Sequence, residues 1–295
     1  MAMRRSLWVG FAALCVLSGS EWLFDQAWPG MLTGLQRTAV HDGLLAVVFG
    51  SIGLRRDGKL WLDLVFGAAA MFGVPAVVFA AAGGHVPDAM VVLALMLVPV
   101  VVILVAGQQA VGFGMDEGPL RRMVPVLAGL GGAMLLIPQD WPASVAGRLW
   151  LAGVVASVVA AGLAAVRMHR LLAGVDVVPG AALVALVSGA IAAAFWGLGS
   201  SGPVAWSWNG AGVEGLRCVV LDGPILLLTV WLLREMAPVA LSARFLLIPL
   251  VTIVESLVVV RPSVSWTAAI GVVLVAGGGI VLARSDEGPG LIPGL

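Results

Sequence analysis

Charge is scarce in this sequence. Asp, Glu, Lys and Arg supply 11% of its 295 residues, against about 25% in soluble domains. A polar coat able to keep so apolar a chain in water is therefore excluded. The formal net charge is zero, so no global field points to nucleic acid or to an acidic partner. Three histidines, His41, His85 and His169, lie on separate segments, and two cysteines, Cys15 and Cys218, lie in apolar stretches. No His/Cys set has metal-ligand spacing, so neither a metal nor another cofactor is expected. The chain also lacks a nucleophile elbow and a phosphate-cradling glycine loop, which argues against an enzyme and against an ATP-driven pump. Tyrosine is absent, and Lys59 is the only lysine. With so much Ala, Gly and Val, this bias fits a GC-rich prokaryotic genome.

What is present is hydrocarbon. Hydrophobic residues make up 61% of the chain, and the mean hydropathy is +1.08. No close-packed globule hides that much apolar sequence, so lipid must cover it. A helix crosses the bilayer core with about 20 residues. Apolar windows of that length fall at 6–24, 32–54, 61–83, 86–107, 120–138, 147–169, 179–200, 213–234, 239–260 and 264–284. They are separated by Gly/Pro- or charge-rich breaks such as Arg55-Arg56-Asp57-Gly58-Lys59 and Met115-Asp116-Glu117-Gly118-Pro119. A β-barrel would need short alternating segments instead. The expected fold class is an all-α integral membrane protein with ten transmembrane helices. Residues 1–24 mimic a signal peptide, but Glu21-Trp22 follows the small residues Ser18-Gly19-Ser20 at once, so the segment is expected to stay as a helix.

The basic residues orient the bundle. Arg4, Arg5, Arg55, Arg56, Lys59, Arg121, Arg122, Arg167, Arg170, Arg234 and Arg284 fall on one side, with Arg148 and Arg261 on the other. Both termini are then expected in the cytoplasm of a bacterial cell, and the chain in its inner membrane.

Prolines reveal an internal order. Pro75, Pro87 and Pro99 mark the third and fourth spans, and Pro224, Pro238 and Pro249 the eighth and ninth. The Gly-rich run Gly129-Leu130-Gly131-Gly132 of the fifth span is echoed by Gly277-Gly278-Gly279 of the tenth. These correspondences imply two halves: 1–142, then 143–284, with 285–295 as a short cytoplasmic tail. An odd number of helices per half makes the two five-helix repeats inverted, a device of secondary transporters that bind substrate between the halves. A rival register pairs Arg37-x4-Asp42 with Arg217-x4-Asp222. It leaves unequal halves and is read as coincidence.

Ten helices as five plus five, mid-span prolines in the fourth and ninth, and Gly-rich fifth and tenth helices resemble the drug/metabolite transporter superfamily, in its EamA-like branch. The resemblance covers the whole chain through diffuse motifs. Where the family carries a glutamate about twelve residues after the ninth-helix proline, this chain has Arg261-Pro262; the family's first-helix tryptophan-glycine pair is replaced by Gly19-Ser20-Glu21-Trp22. Members with this layout export amino acids and other small amphipathic metabolites, among them aromatic amino-acid exporters of the YddG type. The resemblance thus implies alternating access and amino-acid export.

Ionisable groups inside spans are the informative residues, because each must face a partner or a wet cavity. At 1.5 Å per residue, Glu21, Arg37, Arg217 and Glu255 lie roughly 6–9 Å below the outer surface. Matched depth predicts the pairs Glu21–Arg37 and Arg217–Glu255, structural or acting as an outer gate. Asp42 and Asp222 lie deeper, roughly 14–15 Å in, where a carboxylate can hold a cation or carry a proton. His41 adjoins Asp42 but points roughly 100° away on a helix, which makes it the weaker candidate. Trp22 and Trp196 could wall a substrate site. Arg244, near the cytoplasmic end, is expected to snorkel to the interface or to act in a gate. Pro75, Pro99, Pro224 and Pro249 are candidate hinges.

The function expected is a secondary transporter, an exporter of small amphipathic metabolites such as amino acids. Its partners would be a small-molecule substrate, the lipid bilayer and protons as coupling ion. The rivals are a proton-coupled exporter of organic cations or drugs and, from another class, a membrane scaffold or lipid-carrier flippase without a soluble-substrate cavity.

Overall fold

The computed structural model describes residues 2–51, 58–111, 119–137, 140–200, 204, 206–261 and 265–284. The predicted tail at 285–295, the breaks at 55–57 and 115–118, and Pro262 lie outside them. All regular structure among the described residues is helical. In chain order the helices are α1 (Arg5–Ala27), α2 (Gly34–Gly50), α3 (Trp61–Ala82), α4 (Asp88–Gly107), α5 (Pro119–Leu136), α6 (Val145–Leu172), α7 (Val177–Gly199), α8 (Trp208–Glu235), α9 (Pro238–Val259) and α10 (Trp266–Arg284). Each predicted window overlaps one of them, with ends shifted by up to about one turn and a half. Eight are long and apolar enough to cross a membrane. The exceptions are α2, with 17 residues, and α5, whose apolar part is Met123–Leu136.

Polar residues set the starts. Thr33 caps α2 in a reciprocal box with Gln36. Ser144 accepts from the Gly147 amide at 3.0 Å to open α6, and Ser207 accepts from that of Gly210 at 3.1 Å to open α8. Each cap satisfies a backbone donor that the first helical turn leaves free.

Prolines set the irregularities. In α3 the turn Ala69–Gly73 is a π-helix, and in α8 so is Cys218–Asp222. The amides of Val74 and Gly223 close onto the carbonyls of Ala69 and Cys218, five residues back. Pro75 and Pro224 follow directly. Proline has no N–H and its ring collides with the carbonyl four residues back, and the wider turn relieves both problems. Two other helices, α4 and α9, each begin with a short piece, Asp88–Leu95 and Pro238–Ser242, before a longer run that opens at Val98 in α4 and at Arg244 in α9. Pro99 occupies the first turn of its run, where its missing N–H costs nothing. Pro249 lies inside its run.

The most extensive packing pairs α2 with α7 and α5 with α10. Glycine permits both. A Cβ on Gly132 or on Gly271 would lie 2.7 Å from the other residue's carbonyl oxygen, and one on Gly189 would lie 3.0 Å from the Gly43 nitrogen. Helix backbones therefore touch directly, as small residues allow in lipid. Central α6 packs on α3, α4 and α8, while α1 packs on α8 and α9. The core between them holds Leu64, Val102, Val158, Met168, Leu232 and Leu246. Large apolar side chains such as Leu62, Phe66, Val219 and Val273 point outward, as a lipid-facing surface requires.

Candidate functional site

The charges of α1, α2 and α8 meet in one layer of the bundle. Arg217 donates to Glu21 at 3.2 Å and to Asp25, and its guanidinium lies 5.8 Å from the centre of the Phe24 ring. Asp25 also lies 3.3 Å from Arg37. Arg37 reaches Glu214 at 3.5 Å, and Glu214 accepts from the Leu32 amide at 3.1 Å. His41 continues the chain. Its Nε2 lies 3.2 Å from Glu214, and its Nδ1 lies 2.5 Å from Asp222. Acid and base thus alternate from Glu21 to Asp222. Arg217, Glu214 and His41 are almost wholly buried, His41 at 2% exposure, so each charge depends on its neighbours in a medium of low dielectric.

Asp42 stands apart. It accepts from the Ser188 hydroxyl of α7, and no basic side chain among the described residues is in ion-pair distance of it. Five carboxylates (Glu21, Asp25, Asp42, Glu214, Asp222) therefore share two guanidiniums and one imidazole. The site is short of positive charge. Beside it opens a cavity of about 410 Å³, lined by Glu21, Arg37, His41, Asp42, Arg217 and Asp222 together with Phe72, Val184, Ser188, Ile225 and Thr229. That is the size of a small-molecule site.

Six of the sequence-predicted residues, Glu21, Arg37, His41, Asp42, Arg217 and Asp222, are brought together here, but the expected pairs are not. Glu21 pairs with Arg217, and not with Arg37. Glu255 of α9 accepts instead from the Ser20 hydroxyl and, at 2.9 Å, from the Trp22 indole. Thr252 donates to the Gly19 carbonyl at 3.1 Å, so this group ties α9 to the bend in α1. Asp42 and Asp222, expected deeper than Glu21, Arg37 and Arg217, line the same cavity as they do, and azimuth decided the partners. His41, expected to be weak, is the bridge between α2 and α8. The two x4 spacings, expected to be coincidental, converge on one cavity. On a regular helix Arg217 and Asp222 would point roughly 140° apart. With the π turn Cys218–Asp222 between them, both line the cavity, Arg217 meeting Glu21 and Asp25 of α1 and Asp222 meeting His41 of α2.

The remaining candidates lie elsewhere. Trp22 is held by Glu255, and Trp196 packs against Leu35, Ala39, Val77 and Ala192. Neither lines the cavity, whose aromatic residue is Phe72. Arg244 does not snorkel. It is buried, donating to Thr229 at 3.4 Å, with its guanidinium 4.8 Å from the centre of the Phe245 ring.

Asp25, Glu214 and Ser188 were not foreseen. The first two had a signal: Asp25 follows Glu21 by four residues, and Glu214 precedes Arg217 by three, each one helical turn away. Ser188, a single hydroxyl in an apolar run, had none.

No family model and no curated protein matches this chain. Among solved structures, 27 chains match. One, described only as the crystal structure of a protein, is similar at a TM-score of 0.73 and 18% identity, over 97% of this chain and 100% of that one. The likeness runs end to end and shows the fold alone.

Proposed function

We propose that this chain is a secondary transporter that moves small amphipathic solutes bearing an ammonium group, amino acids among them, by alternating access in the bacterial inner membrane. The observation that carries this reading is the cavity of about 410 Å³ with Asp42 and Asp222 in its wall, beside arginines already engaged by carboxylates. An ammonium group supplies the missing positive charge, and Phe72, Val184, Ile225 and Leu226 give its apolar part a wall. Protons can serve as coupling ion by occupying the same carboxylates when the solute has left.

Ten spans in two inverted halves, 1–142 and 143–284, belong to the same proposal. Supporting it are the matched irregularities of α3 with α8 and of α4 with α9, and the pairing of α2 with α7 and α5 with α10. With both termini cytoplasmic, the acidic cavity lies in the outer half of the membrane. Export is the direction that the resemblance to the EamA-like branch implies.

A second reading, exchange of organic cations for protons, is favoured by one observation: in this cavity both Arg37 and Arg217 already contact acidic groups. Proteoliposomes test both. Counterflow of labelled leucine, phenylalanine and a quaternary ammonium would be measured with and without a pH gradient, for the parent chain and Asp42→Asn. Saturable movement of the amino acids that Asp42→Asn abolishes is the expected result. Movement of the quaternary ammonium alone would leave the second reading. If the parent chain moves none of the three, the transport reading is wrong.

A further inference from the structure

Arg244 is the charge that the acidic layer does not account for. Arg37 and Arg217 each contact two carboxylates, whereas no carboxylate among the described residues lies in ion-pair distance of Arg244. Its surroundings are the Thr229 hydroxyl at 3.4 Å, the Phe245 ring, the buried Cys15 thiol of α1, and a second cavity of about 40 Å³ walled by Met71, Val98, Val102, Leu233 and Phe245. A guanidinium buried at 8% exposure without an anion is strongly disfavoured in a low-dielectric interior. It persists where an anion arrives from elsewhere.

The two cavities are neighbours. Thr229 lines the acidic one, and its hydroxyl accepts from Arg244, which lines the other. The π turn of α3 spans the same boundary: Phe72 faces the acidic cavity and Met71 the second one. Along α8 the order is Asp222, Thr229, Leu233, with first and last roughly 16 Å apart at 1.5 Å per residue. Thr229 and Arg244 thus form the septum between an acidic compartment and an apolar one.

We propose that Arg244 is a second subsite, which takes the carboxylate of a zwitterionic solute as it passes through this septum on its way to the acidic cavity. A space of 40 Å³ admits one or two waters or a carboxylate, and not a whole solute. It therefore receives the carboxylate alone, and the ammonium group, one carbon away in an α-amino acid, reaches the acidic wall only after the carboxylate has left Arg244. This rests on the transport reading above and narrows its substrates to solutes carrying both charges. Discrimination arises because an amine without the carboxylate leaves Arg244 unanswered.

Matched pairs test it: phenylalanine against phenethylamine, and leucine against isoamylamine, in proteoliposomes carrying the parent chain, Arg244→Gln or Arg244→Lys. Arg244→Gln should reduce amino-acid transport about 10-fold or more relative to the amine, the effect of losing a charged hydrogen bond, with Arg244→Lys restoring part of it. Equal effects on both members of a pair overturn the proposal. A second measurement is independent of transport. In detergent, butyrate should raise the melting temperature of the parent chain but not that of Arg244→Gln. Stabilisation without any transport keeps the subsite and removes the transport reading. Transport without stabilisation removes the subsite. A fold defect is recognised separately: taking away an unanswered charge should leave the ligand-free melting temperature equal or higher, and a marked fall assigns Arg244 a structural role instead.

Discussion

His41 Nδ1 lies 2.5 Å from Asp222, 181 residues further along the chain. The same ring holds its other nitrogen 3.2 Å from Glu214, but that approach is electrostatic, since neither His41 Nε2 nor Glu214 Oε2 has an aligned hydrogen bond. A neutral imidazole donates through one nitrogen and accepts at the other, and only the doubly protonated ring donates from both. His41 is thus the residue through which α2 meets two carboxylates of α8.

Replacing His41 with Gln removes the contact with Asp222 and leaves Glu214 buried with one polar neighbour fewer. Leaving a hydrogen-bond partner unmatched costs about 1–3 kcal/mol. The melting temperature in detergent should fall accordingly, and a double-mutant cycle with Asp222→Asn should show strong coupling. Additive effects would mean that the contact contributes little.

Arg217→Gln takes the guanidinium from Glu21 and leaves Asp25 with Arg37 alone, and since both carboxylates are partly exposed it should destabilise the chain by about 1 kcal/mol. Arg217→Lys recovers only part of this, because an ammonium group cannot fork between two carboxylates as a guanidinium does. Adding Glu21→Gln to Arg217→Gln should restore stability. A further loss in that double variant would show the two residues acting independently.

Asp42 and Asp222 should separate function from stability. Asp42 has the Ser188 hydroxyl as its partner, so Asp42→Asn should change stability by less than about 1 kcal/mol while removing the binding of ammonium solutes. Asp222→Asn also removes the His41 contact and should lower both. Chemical melts beside binding isotherms for leucine make the comparison. Equal losses of stability in the two variants would contradict it.

Where α5 crosses α10, Gly271→Val drives a branched side chain into the Gly132 carbonyl and should cost about 3 kcal/mol, at the upper end for overpacking. Gly131→Ala and Gly277→Ala face open space and should be neutral. Monodispersity and melting temperature would be read for all three, and a tolerated Gly271→Val would mean the crossing is loose.

How legible the molecule was depends on the kind of interaction. The helical windows were readable because the hydropathy of 20 residues decides between lipid and water whatever packs nearby. The irregular turns beside Pro75 and Pro224 were readable because a missing N–H acts on its own helix. Arg37, Arg217, Asp42 and Asp222 stood out as candidates because a charge within an apolar run needs a partner somewhere. Which partner was not readable. Arg217 meets Glu21 and Asp25 across 196 and 192 residues, and the choice depends on helix azimuth, which depth along a span does not contain.

The sequence by itself thus determined an all-helical, lipid-covered chain and marked the residues with unmet charge, since both follow from composition along a single segment. Tertiary structure alone decided that His41 joins α2 to α8, that Asp42 faces Ser188, and that Arg244 has no carboxylate beside it among the described residues. The physical reason is that electrostatic partnership falls off over a few ångströms, and such distances are set by glycine-mediated packing between helices and by the azimuth at which each side chain leaves its helix.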